Sequence, residues 1–469
     1  MGFFRFRWVF CQLETLRRCF PPSIRRTLND LPTTLDETYE RTLLEIPEER
    51  WKHAHHLFQC LITSSRPLCV EELAEILVIR FDSETMPDLI SGWRPENSED
   101  AVLSVCSSLI VVIKVNNSPV VQFSHFSVKE FLTSDRLAKS KLASRYHIPL
   151  EPAHKRLAQA CLSTLLKLDE RIVKNGLKNY PLAFYAAQHW LDHARFGDVQ
   201  LSIQDGIGKL INPDKPHFSA WIWIHDVYGD WRKRSLKGLT GHPSQPKGTP
   251  LYYSAACGLR SLTEQLISIY PNDVNPPESS VWVPLDGAVH NGHLDVTRTL
   301  LEHGAEVNNK RYDWTPLHYA SHVGSSDIVQ LLLEYQADVG SRDDFGQTPL
   351  HLASGTGQLT AMRLLLEYGA DVDSVMHFGL TPLHRASSKK NPEAVRLLLR
   401  RGANVDAVDE DGCTALHLEG NIEVALALLE GGANVHVRDK SSRTPFQRAS
   451  QAGHHRFVQL LLEHGAEAE

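Results

Sequence analysis

"TPLHYASHVGSSDIVQLLLEYQADV", Thr315 to Val339, decides how nearly half of this 469-residue chain folds. Thr315 can cap a helix, and Pro316 suits its first turn. Leu317 then enters a core. "VQLLLEYQADV" carries apolar residues at the three- and four-residue spacing of a second amphipathic helix. Copies follow from Thr348, "TPLHLASGTGQLTAMRLLLEYGADV", and from Thr381, "TPLHRASSKKNPEAVRLLLRRGANV". A shorter one, "TALHLEGNIEVALALLEGGANV", starts at Thr414. Pro316, Pro349, Pro382 and Ala415 stand 33 residues apart. Looser copies begin at Thr249, Val283 and Thr444, which makes seven units from residue 249 onward. Gly304, Gly369, Gly402 and Gly432 end the second helices, where a left-handed residue is needed.

Period, motif and hydrophobic pattern together resemble the ankyrin repeat. That resemblance implies a structural role for His318, His351, His384 and His417, whose hydrogen bonds would tie neighbouring units together. One histidine per repeat cannot cluster around a single metal ion. Tyr252, Asp286 and Gln447 replace the histidine in repeats one, two and seven. Repeat six is shortened between its helices, which predicts a local distortion there. Ankyrin arrays bind proteins on an extended concave face and on turn-like fingers. Tyr312, Phe345, Phe378 and Asp411 fall at equivalent fingertip positions, with Trp314 beside the first. Exposed aromatics in a row are candidate hot spots for a protein partner. The opposing possibility is that each ring packs on its own finger.

The N-terminal half is helical from Leu31. Thr34 and Glu37 have the spacing of a capping box, as do Ser127 and Glu130. "EERWKHAHHLFQCLIT" and "VEELAEILVI" read as helices. "EDAVLSVCSSLIVVIKVNNSPVVQFSHFSVKEFL" reads as helix, strand, turn, strand and helix. Three helices with a hairpin make a winged-helix-like unit over residues 47–135, preceded by helices in 1–46. A helical spacer and linker fill 136–248, and the repeats occupy 249–469. The fold class is mainly α.

"FRWVFCQLETLRRCFPPSIRRTLNDLPTTLDETYERTL", "RPLCVEELAEIL", "VCSSLIVVI" and "VVQFSHFSVKEFLTSDR" resemble the end of a NACHT module and the winged-helix domain after it. Such modules occur in fungal NACHT–ankyrin proteins, NOD-like signalling NTPases of the STAND class. The resemblance implies cytoplasmic, innate-immunity-like signalling and association with a NACHT module. It also implies that His125, in "SHFSVKEFL", senses a nucleotide phosphate; the alternative is a helix-start histidine packed on the wing. The sequence contains no GxxxxGK[ST] phosphate loop, so no nucleotide hydrolysis is expected of it.

The remaining features point the same way. Residues 47–135 hold seven Lys or Arg against thirteen Asp or Glu. That balance lacks the electrostatic footprint of phosphate binding, so no nucleic-acid partner is expected. No stretch approaches the roughly 20 apolar residues of a membrane span. Eight scattered cysteines without a CxxC suggest reduced thiols in a cytoplasmic protein. "HWLDH", His189 to His193, approaches a zinc motif, but Asp192 replaces its glutamate and no third ligand is evident. Arg5 and Arg7 interrupt "FFRFRWVFCQLETLRRCF", Phe3 to Phe20, so no export signal is expected of it, while its basic, amphipathic character leaves a mitochondrial presequence open. Its stripe of Val9, Leu13, Leu16 and Phe20 suits a helix packed on protein. The expected function is a non-enzymatic protein-interaction adaptor or sensor without cofactor, the N-terminal part regulating or tethering. The alternatives are the regulatory half of a NACHT-type NTPase acting with a P-loop chain, and a winged-helix nucleic-acid-binding regulator.

Overall fold

Thr34 opens the first helix. Its hydroxyl accepts the Glu37 N–H and the Glu37 carboxylate accepts the Thr34 N–H, both at 3.2 Å, the capping box expected there. The computed structural model describes residues 34–81, 87–89, 95, 97–106, 108–116, 118–169, 176–212, 214–224, 248–277, 283–310, 313–418 and 421–467. The Phe3–Phe20 stretch and Tyr312 lie outside the described residues. The chain divides into two units, residues 1–246 and 247–469.

In the first unit, α1 (Leu35–Leu44), α2 (Trp51–Thr63), α3 (Val70–Leu77) and α4 (Ser98–Cys106) precede the hairpin of a small sheet. β1 (Leu68–Cys69), β4 (Ile110–Val115) and β5 (Ser118–Phe123) form that sheet in the order β1-β5-β4. Both pairings are antiparallel, Leu68 opposite Val121 and Ile110 opposite Phe123. β2 (Ile79–Arg80) and β3 (Asp88–Leu89) make a separate ribbon. This is a winged-helix arrangement. Hydrophobic periodicity does not reveal β1, because two residues show no alternation.

α5 (Phe126–Leu132) corrects one sequence expectation. Ser127 does not cap it. His125 does, its Nδ1 accepting the Ser127 N–H at 3.3 Å. The Ser127 hydroxyl instead lies 2.8 Å from the Tyr39 hydroxyl, tying α5 to α1. Beyond it, α6 (Leu150–Leu165) packs on α2 and on α7 (Ala183–Ala194). α8 (Pro216–Ile224) closes this helical block. Trp190 and Trp221 are fully buried and meet edge to face at 5.8 Å.

In the second unit each repeat is a helix pair. The inner helices are Pro250–Ala256, Pro284–His290, Pro316–Val323, Pro349–Thr356, Pro382–Ser388 and Pro445–Gln451. In repeat six the inner helix shrinks to a 3-10 turn, Ala415–Leu418, which is the distortion its shortening predicted. The outer helices are Arg260–Ile269, Leu294–Glu302, Ser326–Glu334, Leu359–Glu367, Pro392–Arg400, Ile422–Glu430 and His455–Glu463. Leu317, Leu350, Leu383 and Leu416 are buried at the same place in successive repeats and join one continuous core. Full burial of each is worth about 1.5–3 kcal/mol. The glycines that end the outer helices take φ of 81° to 88°, so each needs the left-handed freedom the sequence implied. In repeat three Gln336 does the same work at φ 63°.

Candidate functional site

The fingers are built by carboxylates. Asp343 Oδ1 accepts the N–H groups of Phe345 (3.0 Å) and Gln347 (2.7 Å). Asp409 does the same for Asp411 (2.9 Å) and Cys413 (2.8 Å). Asp439 does so for Ser441 and Arg443, both at 2.9 Å. Adjacent fingers are then stitched together. The N–H groups of His377, Glu410 and Lys440 donate to the carbonyls of Phe345, Phe378 and Asp411, each at 2.9 Å. Met376 stands where these three fingers have aspartate, as Lys310 does in the finger before Thr315, and the tip residue Phe378 takes φ 65°. A bulky residue in that left-handed region costs on the order of 1–3 kcal/mol, and such residues cluster at ligand clamps and switch regions.

The predicted tip residues divide. Phe345 and Phe378 project, 61% and 67% exposed. Asp411 is also exposed on its tip. Trp314 turns the other way. Its Nε1–H donates to Asp343 Oδ2 at 3.1 Å, and its ring lies 5.0 Å from Tyr319 and 5.2 Å from His322. It therefore belongs to the inner-helix face rather than to the fingertip row. Sequence spacing places it beside a tip, but only the fold shows which carboxylate its indole meets.

The four motif histidines are inter-repeat ties. In each, Nδ1 accepts the N–H of the threonine three residues earlier, at 3.1 to 3.3 Å. Nε2 lies 3.1 to 3.2 Å from a carbonyl of the next repeat: Gln347, Leu380, Cys413 and Arg443 in turn. Accepting at Nδ1 and donating at Nε2 requires the neutral ring. Burial depresses the pKa of all four, that of His351 to about 4.

In the first unit the two histidines of "HWLDH" part company. His189 Nδ1 meets Asp192 at 2.9 Å. His193 is buried, with Nε2 2.8 Å from the Tyr185 hydroxyl and Nδ1 3.0 Å from His154 Nδ1. Burial lowers its pKa to about 3, with repulsion from His154 adding to the effect. The Ser65 N–H donates to the Tyr185 hydroxyl at 3.1 Å, so this group fastens the winged-helix unit to the helical block. Arg66 pairs with Glu72 through both carboxylate oxygens at 2.9 and 2.6 Å, and Glu75 accepts the Leu182 N–H at 2.6 Å. These side chains are joints, and no local pattern signals which of them meet. His125, the candidate phosphate sensor, caps α5 with one ring nitrogen. Among the described residues the cysteines at 60, 69, 106, 161, 257 and 413 form no disulfide. No helix among the described residues is long and apolar enough to cross a membrane.

Comparison with known families agrees with this geometry. Ankyrin repeat models match residues 251–343, 308–376 and 383–469, and a second ankyrin model matches 356–399. The model described as "GPI inositol-deacylase, winged helix domain" matches residues 42–146. The chain is 32% identical over 299 residues to "Azaphilone pigments biosynthesis cluster protein L" of Monascus ruber, covering 60% of this chain and 61% of that protein. It is 35% identical over 118 residues to "Ankyrin repeat domain-containing protein 49" of Bos taurus, covering 23% of this chain and 46% of that one. The chain thus spans about three-fifths of the first relative's length and under half of the second's. Ankyrin repeats and a winged-helix domain of the GPI inositol-deacylase type are present.

Proposed function

We propose that this chain is a non-enzymatic, cytoplasmic adaptor or sensor. Its ankyrin array docks a protein partner, and its winged-helix and helical block regulates or tethers what is docked. The observation that carries this is the pair Phe345 and Phe378, exposed on stitched fingers. Finger backbones already held by hydrogen bonds lose little freedom on binding, which favours a hot spot at their exposed rings. The test is affinity capture with the full chain and with the Phe345→Ala/Phe378→Ala variant. The expected result is loss of the captured partner, with affinity falling by roughly 2 kcal/mol or more. The thermal midpoint should hold, since neither ring supports the core. Unchanged capture with a lowered midpoint would reverse the assignment and make the rings structural.

A second reading is favoured by the winged-helix match beside the repeats. Here the chain is the regulatory part of a NACHT-type signalling NTPase and works with a P-loop module. In that case His125→Ala changes nucleotide retention when the chain is mixed with such a module. No change in retention removes His125 from any sensing role. The acidic balance of residues 47–135 speaks against the nucleic-acid alternative.

A further inference from the structure

The charge of the repeat array is not spread evenly. Every outer helix carries at least one Asp or Glu. Across the inner helices the one carboxylate among the described residues is Asp286, which is buried. What the inner face presents instead is Trp314, Tyr319, His322 and Arg385. His322 is exposed, and partial burial together with the Arg385 charge holds its pKa below the ordinary value. Gly355 leaves room beside Arg385: a Cβ there would meet a guanidinium nitrogen at 3.3 Å.

Arg385 is set apart from its counterpart. Arg448 occupies the same motif position in repeat seven, where it lies 3.7 Å from Asp439. The finger position of Asp439 is filled by Met376 in the repeat of Arg385. Arg385 accordingly makes no ion pair among the described residues, and its buried Nε has no hydrogen-bond partner. A guanidinium without the carboxylate its counterpart has, its charge reaching a histidine that itself meets the Trp314 ring, is built to receive a carboxylate from elsewhere.

We propose that the inner face around Trp314, Tyr319, His322 and Arg385 binds an acidic peptide segment of the partner, its carboxylate on Arg385 and a neighbouring apolar side chain on the rings. Charge complementarity selects this occupant. A long polyanion such as nucleic acid would also meet the carboxylates of the outer helices and fingers. The inference rests on the array being a protein-docking surface, and it adds the chemistry of what docks.

The test is selection from a random displayed-peptide library by the full chain at low ionic strength. Wild-type chain should enrich Asp- and Glu-bearing peptides with an adjacent apolar residue. Arg385→Glu should lose that enrichment. Met376→Asp supplies the missing internal carboxylate and should weaken the selected peptide roughly tenfold while leaving the fold intact. Peptides selected without acidic bias, or sensitive to Phe345→Ala/Phe378→Ala and indifferent to Arg385→Glu, overturn the inference and leave the docking surface standing. A library from which nothing is retained overturns the inference, while the docking surface answers to the capture experiment.

Discussion

Acidification from pH 7 to pH 4 destabilises the repeat array by about 3 kcal/mol through His351 alone. Burial is the cause: it holds the folded-state pKa at about 4 against an ordinary 6.5. The unfolded chain therefore takes up a proton first. The contribution is complete above pH 6.5, falls as the pH drops towards 4, and levels off below that. His318, His384 and His417 have the same bonds and the same direction of shift, so they add to the loss. Protonation also removes the acceptor that each Nδ1 offers to its threonine N–H. Denaturant unfolding of the array at a series of pH values checks this. Repeat seven supplies the control, because Gln447 Oε1 accepts the Thr444 N–H at 3.0 Å without a titrating group. His351→Gln should keep the cap, lose the tie to Leu380 at a cost of about 1 kcal/mol, and flatten the pH dependence by one histidine's share. An array equally stable at pH 7 and pH 4 would mean that these rings are not held neutral.

Trp190→Ala lowers the stability of the first unit by about 3–5 kcal/mol. Trp190 is wholly buried between α7 and α8 and meets Trp221 edge to face. Removing the indole leaves a cavity that two helices and a second tryptophan cannot collapse to fill. Trp190→Phe should cost less, because the Trp190 Nε1–H has no hydrogen-bond partner and its burial already opposes folding. Hydrogen exchange of the α6 and α7 amides in the full chain reads both effects. A loss below about 1 kcal/mol for the alanine variant would show that the helical block is not packed as described.

How much of the molecule is legible in its sequence depends on the range of the contact. The repeats are, because threonine cap, proline, leucine and glycine each answer a local demand and recur every 33 residues. The capping box at Thr34 is legible for the same reason. The cap of α5 is not: Ser127 and Glu130 have the right spacing, but Tyr39, 88 residues away, engages the Ser127 hydroxyl and His125 takes the cap. The candidate site divides in the same way. Phe345, Phe378 and Asp411 can be placed on tips by counting, whereas the inward turn of Trp314 depends on Asp343 in the next finger. The unpaired state of Arg385 needs the comparison of Met376 with Asp439, two positions that matter to each other only once the fingers are folded.

Hydrogen-exchange footprinting of the full chain, free and with its captured partner, tests the docking role of the array most directly. Partner binding should slow exchange in the fingers at 343–347, 376–380 and 409–413 and along the inner helices, above all Pro316–Val323 and Pro382–Ser388. Protection confined to residues 34–224, with the repeats exchanging as in the free chain, would contradict that role.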